Sequence, residues 1–264
     1  MPFTGSHPAA VLPFLRSGLV PSALVIGSMT PDLPYFLPTS FSGTTTHTLA
    51  GALTVDVLLG GVAFGVWQAV LAPFAVAIAP AALRDRLDPR LPRGLAFHLR
   101  GWRKLGVLAA SLAVGAATHV GWDSFTHLLG WGPSHVAWLA DTHAGLPGYR
   151  WAQYASTIVG ATALAGWFTH WWFTSTPQSR TETRAPLARP VAYAAWAFIG
   201  FATLAGGLLG ARPHLPQSSP YVTVFLVLTR GGGAGLITAL GCALAWLALS
   251  PKPEHTHHPL PPTP

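Results

Sequence analysis

Charge is scarce in this chain: Lys, Arg, Asp and Glu make up 9% of its 264 residues, against about 25% in an ordinary soluble domain. That shortage excludes a soluble globular domain. Cysteine is nearly absent too, and the single Cys242 excludes an intrachain disulfide framework. Several catalytic signatures are missing. There is no P-loop, no GxSxG elbow, no CxxC pair and no HExxH, which removes the commonest sequence marks of nucleotide hydrolysis, serine hydrolysis, thiol exchange and zinc proteolysis. The glycine run Gly231–Gly233 lacks a following Lys-Ser/Thr and reads as a flexible start to a hydrophobic helix. The opening MPFTGSHPAAVLPFLRSG has no positive n-region, and Pro8 and Pro13 break its apolar run, so it does not read as a cleaved signal. Ser6-His7-Pro8 reads instead as a helix N-cap followed by an early proline.

What the chain has is apolar length. Half its residues are hydrophobic, eleven are tryptophan, and its mean hydropathy is +0.42. Five segments, 49–80, 105–130, 151–173, 190–210 and 221–250, reach the roughly 20 residues that cross a hydrocarbon core of about 30 Å. The expectation is an all-α polytopic membrane helix bundle with about five full spans. Segment 49–80 exceeds one span, and Pro73 marks a kink or the start of an interfacial segment. Residues 6–16 and 21–30 are too short to cross and predict an N-terminal short helical hairpin, half inserted. Such a hairpin brings His7 and Asp32 to the same end. Residues 1–250 form a single integral-membrane domain in this reading, and 251–264 a disordered Pro/His-rich tail whose His255, His257 and His258 are solvated.

The formal net charge of +7 comes from two clusters: Arg84, Arg86, Arg90, Arg93, Arg100, Arg103 and Lys104, then Arg180, Arg184 and Arg189. Short loops of this kind stay in the cytoplasm and attract anionic headgroups. They point to membrane lipids as partners and away from nucleic acid. With 84–104 inside, His47 lies at the outer mouth of its helix and 119–127 in the outer part of theirs.

The strongest chemical signal is HVGWDSFTH. His119, Asp123 and His127 are four apart, so they span about 80° of a helix surface. An ionisable group at membrane depth costs about 2.5–3.5 kcal/mol on insertion scales, so three on one stripe ask for a common partner. A divalent metal is the simplest one; the alternatives are a buried hydrogen-bonded cluster or a proton path. His119 and His127 are about 12 Å apart along the axis, so one member of the stripe has another role. Asp32 in TPDLP, His47 in TTTHTLAG and His7 join as candidate ligands because the topology places them at one end. Asp56 lies 180° from His47 on a continuous helix, so both face one site only if His47 precedes the regular helix or the helix is distorted. Gln153 and Ser156 could bond a ligand or pack helices. His98 and His170 read as interfacial, and His135 and His143 as residues of an outer linker.

In order, SHPAAVLP, ALVIGSMTPDLPYF, THTLAGALTVD and HVGWDSFTH resemble domain-of-unknown-function family 4184, bacterial multi-pass membrane proteins, over most of the chain to about residue 210. More distantly, an N-terminal His, a GxxxPD block, a TH block and Gly115-His119-Asp123 are similar to membrane-bound metal-dependent hydrolases and zinc-dependent phospholipase C. The resemblance implies a bacterial cytoplasmic-membrane protein that hydrolyses a substrate with Zn2+ or another divalent transition metal. It carries metal ligation to His7, Asp32, His47, His119 and Asp123, with Asp56 and His127 left to orient groups or act as base. A transporter or sensor that uses the cluster for protons or metal ions is the rival expectation.

Overall fold

The computed structural model describes residues 4–178 and 186–250, and it is mostly helical. Arg180 and Arg184 of the second basic cluster, and the 251–264 tail with its histidines, lie outside the described residues.

The chain opens with a 3-10 helix, Thr4–Phe14, and α1, Pro21–Met29. Gly18, with φ at +84°, lies in the turn between them. The first helix starts at Thr4, so Ser6 lies inside it rather than capping it; Ser6 is buried where a Cβ on Gly160 would touch it. A 3-10 turn, Thr30–Asp32, follows α1 directly, because Pro31 and Pro34 prevent the helix from running on.

Among the described residues, four helices are long and apolar enough to cross a membrane, the pattern of a multi-pass membrane protein. They are α2, Val55–Ile78; α3, Trp102–Thr126; a helix over Arg189–His214; and one over Pro220–Leu249. Between the second and third runs α4, Gly148–Thr174, which is 27 residues long but is not counted with the four. Its C-terminal end carries Trp167, His170, Trp171 and Trp172. We number the last two helices α5, Arg189–Ala211, and α6, Pro220–Leu249.

The expected 49–80 segment is not one helix. Thr48 caps a short piece, Leu49–Leu53, and Thr54 then breaks the chain with φ −128° and ψ −79° before α2 begins. Within α2, a π-turn over Trp67–Leu71 precedes Pro73, which cannot donate to the ladder. The Gly231–Gly233 run, expected at a helix start, lies inside α6. Glycine there is unfavourable by about 0.5–1 kcal/mol relative to alanine, but tertiary packing uses it. Gly231 faces Gly207 and Thr203 of α5, while Phe36 covers Gly232 and Gly233.

Two apolar clusters hold the bundle. Phe74, Ala77, Ile78, Ala192, Ala243 and Trp246 join α2, α5 and α6. Ala23, Phe64, Leu108 and Leu112 join α1, α2 and α3. The contact between α1 and α3 is unusually close. A Cβ on Gly27 would overlap the main chain at Leu112, and a Cβ on Gly115 would overlap the Leu24 carbonyl and the Ser28 amide. Small residues let transmembrane backbones approach in this way, and the next turn of each helix carries the functional groups.

Candidate metal centre

One helical turn beyond Gly115 stands His119, and one turn further Asp123, both buried near the end of α3 opposite the basic loop. The close α1–α3 contact sets the Ser28 carbonyl 2.7 Å from His119 Nδ1. That nitrogen therefore donates, and the lone pair of Nε2 faces inward. The turn after α1 delivers Asp32, which is fully buried, and Thr4 donates to its Oδ2 at 2.6 Å. The 3-10 helix of the N-terminus and the Asp32 turn are thereby tied together.

His47 arrives from a fourth segment. It is the C-terminal cap of the short helix Gly43–Thr46, whose Thr46 donates to the Pro31 carbonyl at 2.7 Å. His47 Nδ1 lies 2.9 Å from the Gly43 carbonyl and donates to it, so its Nε2 also turns inward. His47 thus precedes the regular helix, and the breaks at Thr48 and Thr54 remove the 180° conflict with Asp56. Asp56 lies in the first turn of α2, fully buried.

The four inward atoms form a compact group. His47 Nε2 is 3.2 Å from Asp32 Oδ1 and 3.4 Å from Asp123 Oδ2. His119 Nε2 is 3.6 Å from Asp32 Oδ1 and 3.3 Å from Asp123 Oδ2. All of the ligand atoms of these four residues lie within 4.8 Å of one another. Two ligands of one zinc ion, each about 2.0–2.2 Å from it, stand about 3.3–3.6 Å apart in a tetrahedral site, and the four His–Asp separations of 3.2–3.6 Å are close to that spacing. The same four atoms, Asp32 Oδ1, His47 Nε2, His119 Nε2 and Asp123 Oδ2, are buried without a hydrogen-bond partner. Buried polar atoms are nearly always paired, and these four face one another at 3.2–3.6 Å, the arrangement of two protonated imidazoles paired with two carboxylates or of four ligands around one shared cation. A buried Asp/His cluster able to hold a metal ion is therefore present.

His7 stands beside this group rather than in it. Its ring stacks on that of His119 with centroids 3.8 Å apart, and its Nε2 is 3.6 Å from Asp123 Oδ1, the oxygen directed away from the other three residues. Both its ring nitrogens lack a hydrogen-bond partner. Burial, reinforced by the neighbouring His119, lowers its pKa to about 4. Burial also opposes charge on His47, but the carboxylates of Asp123 and Asp32 outweigh it and raise that pKa to about 9. Burial pushes Asp32 up, yet the imidazoles of His119 and His47 hold it well below the usual carboxylate range.

His127 has left the helix. It caps α3 in extended conformation, and its Nδ1 lies 3.1 Å from the Asp123 carbonyl and 3.6 Å from Asp123 Oδ2. Asp56 has both carboxylate oxygens buried and unpartnered. Gln153 Nε2 donates to the Thr126 carbonyl at 3.3 Å, and Ser156 donates to its own helix at Gln153. His135 and His143 stack on Trp131 and Trp138, and His98 sits against Phe64 and Phe97. The sequence reading missed Thr4, Thr46 and the two orienting carbonyls. A hydroxyl in TGSHP or TTTH is the only trace these leave.

Among the curated proteins and the solved structures compared, none matches this chain, so no named relative supports a likeness to hydrolases. A family model does match, over residues 1–243, and it contains every residue of the centre. The chain belongs to the family described as domain of unknown function DUF4184.

Proposed function

We propose that Asp32, His47, His119 and Asp123 hold a zinc ion and that the protein is a membrane-embedded, metal-dependent hydrolase acting on lipid phosphoesters. The observation that carries this reading is the coincidence of the four unpartnered atoms with the four ligand positions. Bound zinc supplies a water acidified to a pKa of about 7 and polarises a phosphoryl or carbonyl oxygen.

The chain's own residues divide the remaining work. The main-chain carbonyls of Ser28 and Gly43 fix the two ligating rings. His7, neutral above pH 4 and with both nitrogens unpartnered, is placed to accept or return a proton beside Asp123. Asp56 and His127 are further base or orienting groups at the same end. With the loop 84–104 in the cytoplasm, the centre opens to the outer leaflet of a bacterial cytoplasmic membrane.

Apolar packing lies between the centre and the end of the bundle that carries the basic loop. On the inner side, Leu108, Leu112, Phe64 and Ala23 pack together, and Ser111 is occupied, donating to Val107 and accepting from the Val20 amide. That plug disfavours transport. One observation favours a second reading, metal sensing without turnover: four protein ligands are the habit of structural zinc, whereas catalytic zinc commonly keeps three and an open position.

Metal content of protein extracted gently without chelators tests the first step, with His119→Ala and Asp123→Ala beside it. About one zinc per chain, lost in both variants, is expected; wild type without metal sinks the centre. Turnover of labelled lipid phosphoesters then separates hydrolysis from sensing, since metal without turnover selects the second reading.

A further inference from the structure

Beside the centre, α3 and α4 diverge and leave a groove with a volume of about 410 Å³, lined by Gly121, Trp122, Phe125, Thr126, Ala152 and Ser156. Pockets of about 300–1,000 Å³ are of ligand size. Its floor is made of small residues, and a Cβ on Gly121 would meet nothing within 4 Å. Its walls are the rings of Trp122 and Phe125. Both of its hydroxyls are engaged elsewhere: Ser156 Oγ donates to the Gln153 carbonyl at 2.9 Å, and Thr126 Oγ1 donates toward Asp123.

Two features tie the groove to the centre. Thr126, which lines it, donates to Asp123 Oδ1 at 3.4 Å, and Gln153 donates to the Thr126 carbonyl behind it. Thr126 is thus the residue that the groove and the His/Asp group share. The groove also lies at the end of the bundle where Trp131, Trp138 and Trp151 are exposed, the position of an interfacial aromatic belt. A groove at that depth, open to the side and lined by apolar atoms, has lipid as its immediate neighbour.

We propose that this groove seats the upper part of one acyl chain of a phospholipid and so brings the headgroup ester to the metal centre. The inference rests on the lipid-hydrolase reading and names the part of the substrate that does the positioning. An apolar chain gains by leaving neither water nor polar atoms in the groove, and Thr126 marks the point where chain gives way to headgroup. The site thus selects for an acyl chain and, through it, for a lipid over a free phosphate.

The test uses the full-length protein in nanodiscs of phosphatidylcholine doped with the same lipid carrying a diazirine in the upper half of one acyl chain. Illumination and peptide mapping should concentrate label on 121–126 and 152–156, above that on the exposed faces around Leu204 and Val224. Ala152→Trp and, from the same wall, Ser156→Phe should each lower that label at least fivefold while zinc content stays unchanged. Label spread evenly over lipid-facing helices, or undiminished in both variants, overturns the proposal. The wild-type map decides even if a variant fails to fold. Zinc content is read on the same samples, so loss of the metal reading registers separately from an empty groove.

Discussion

The contact between α1 and α3 makes a sharp prediction at Gly115. Alanine there is an increase of one methyl group, normally favourable in a helix by about 0.5–1 kcal/mol. In this structure the new Cβ would overlap the Leu24 carbonyl oxygen and the Ser28 amide nitrogen, so something must shift. Both are main-chain atoms, and α1 must retreat by about 1 Å to reach an ordinary contact, an overpacking cost of about 1–3 kcal/mol. The retreat carries the Ser28 carbonyl and the Asp32 turn with it. The hydrogen bond that orients His119 is 2.7 Å and would stretch to about 3.7 Å, beyond useful range. The separation between His119 and Asp32 is 3.6 Å, and metal sites tolerate errors of only about 0.2 Å in ligand distance. Losing an orienting partner typically weakens metal binding about 10–100-fold. Gly115→Ala should therefore lower zinc affinity at least tenfold, measured by competition with a chromogenic chelator in detergent. Gly106→Ala, on the same helix with nothing within 4 Å of its new Cβ, should bind as wild type. Equal affinity in the Gly115 and Gly106 variants would refute the claim that the close helix contact builds the centre.

Other outcomes follow from the same geometry. Zinc affinity should rise with pH between 6 and 9: over that range the metal-free His47 holds a proton stabilised by Asp123 and Asp32, and the metal must displace it. Calorimetry in buffers of different ionisation enthalpy reads the released protons, and pH-independent binding between 6 and 9 would contradict the assignment of His47. Asp56→Asn should leave zinc stoichiometry unchanged, because Asp56 is not among the four ligand residues, while lipid turnover falls about 10²–10⁴-fold if its carboxylate is the base. Thr4→Val removes the 2.6 Å donor to Asp32 and should weaken zinc about tenfold, read by the same competition assay; Thr4→Ser should restore it.

Much of the bundle was legible because lipid imposes a crude rule: long apolar runs become helices, and the four strongest did. His119 and Asp123 were legible for the same reason, since an imidazole and a carboxylate one turn apart stand out on an apolar helix. Asp32 and His7 could be brought together only by supposing a hairpin, and the structure joins them through Thr4. The rest was hidden for physical reasons. The breaks at Thr48 and Thr54 depend on backbone angles that threonine does not announce. The glycines at 231–233 have a local preference for ending helices, and only the presence of Gly207 and Phe36 opposite them overrides it. His127 looked like the third member of a stripe, but α3 stops at Thr126, and one residue of extended chain takes it off the helix face.

The atom that orients His119 belongs to no side chain. Because the Ser28 carbonyl does this work, what matters at position 28 is where the chain passes rather than which residue stands there. Inserting or deleting a single residue between Pro21 and Asp32 would rotate everything beyond it by about 100° and slide it by about 1.5 Å, removing both that carbonyl and Asp32 from their partners. Across natural variants position 28 should therefore vary among small residues while the length of this stretch stays constant, a pattern distinct from that of the ligands, whose identity is the constrained quantity.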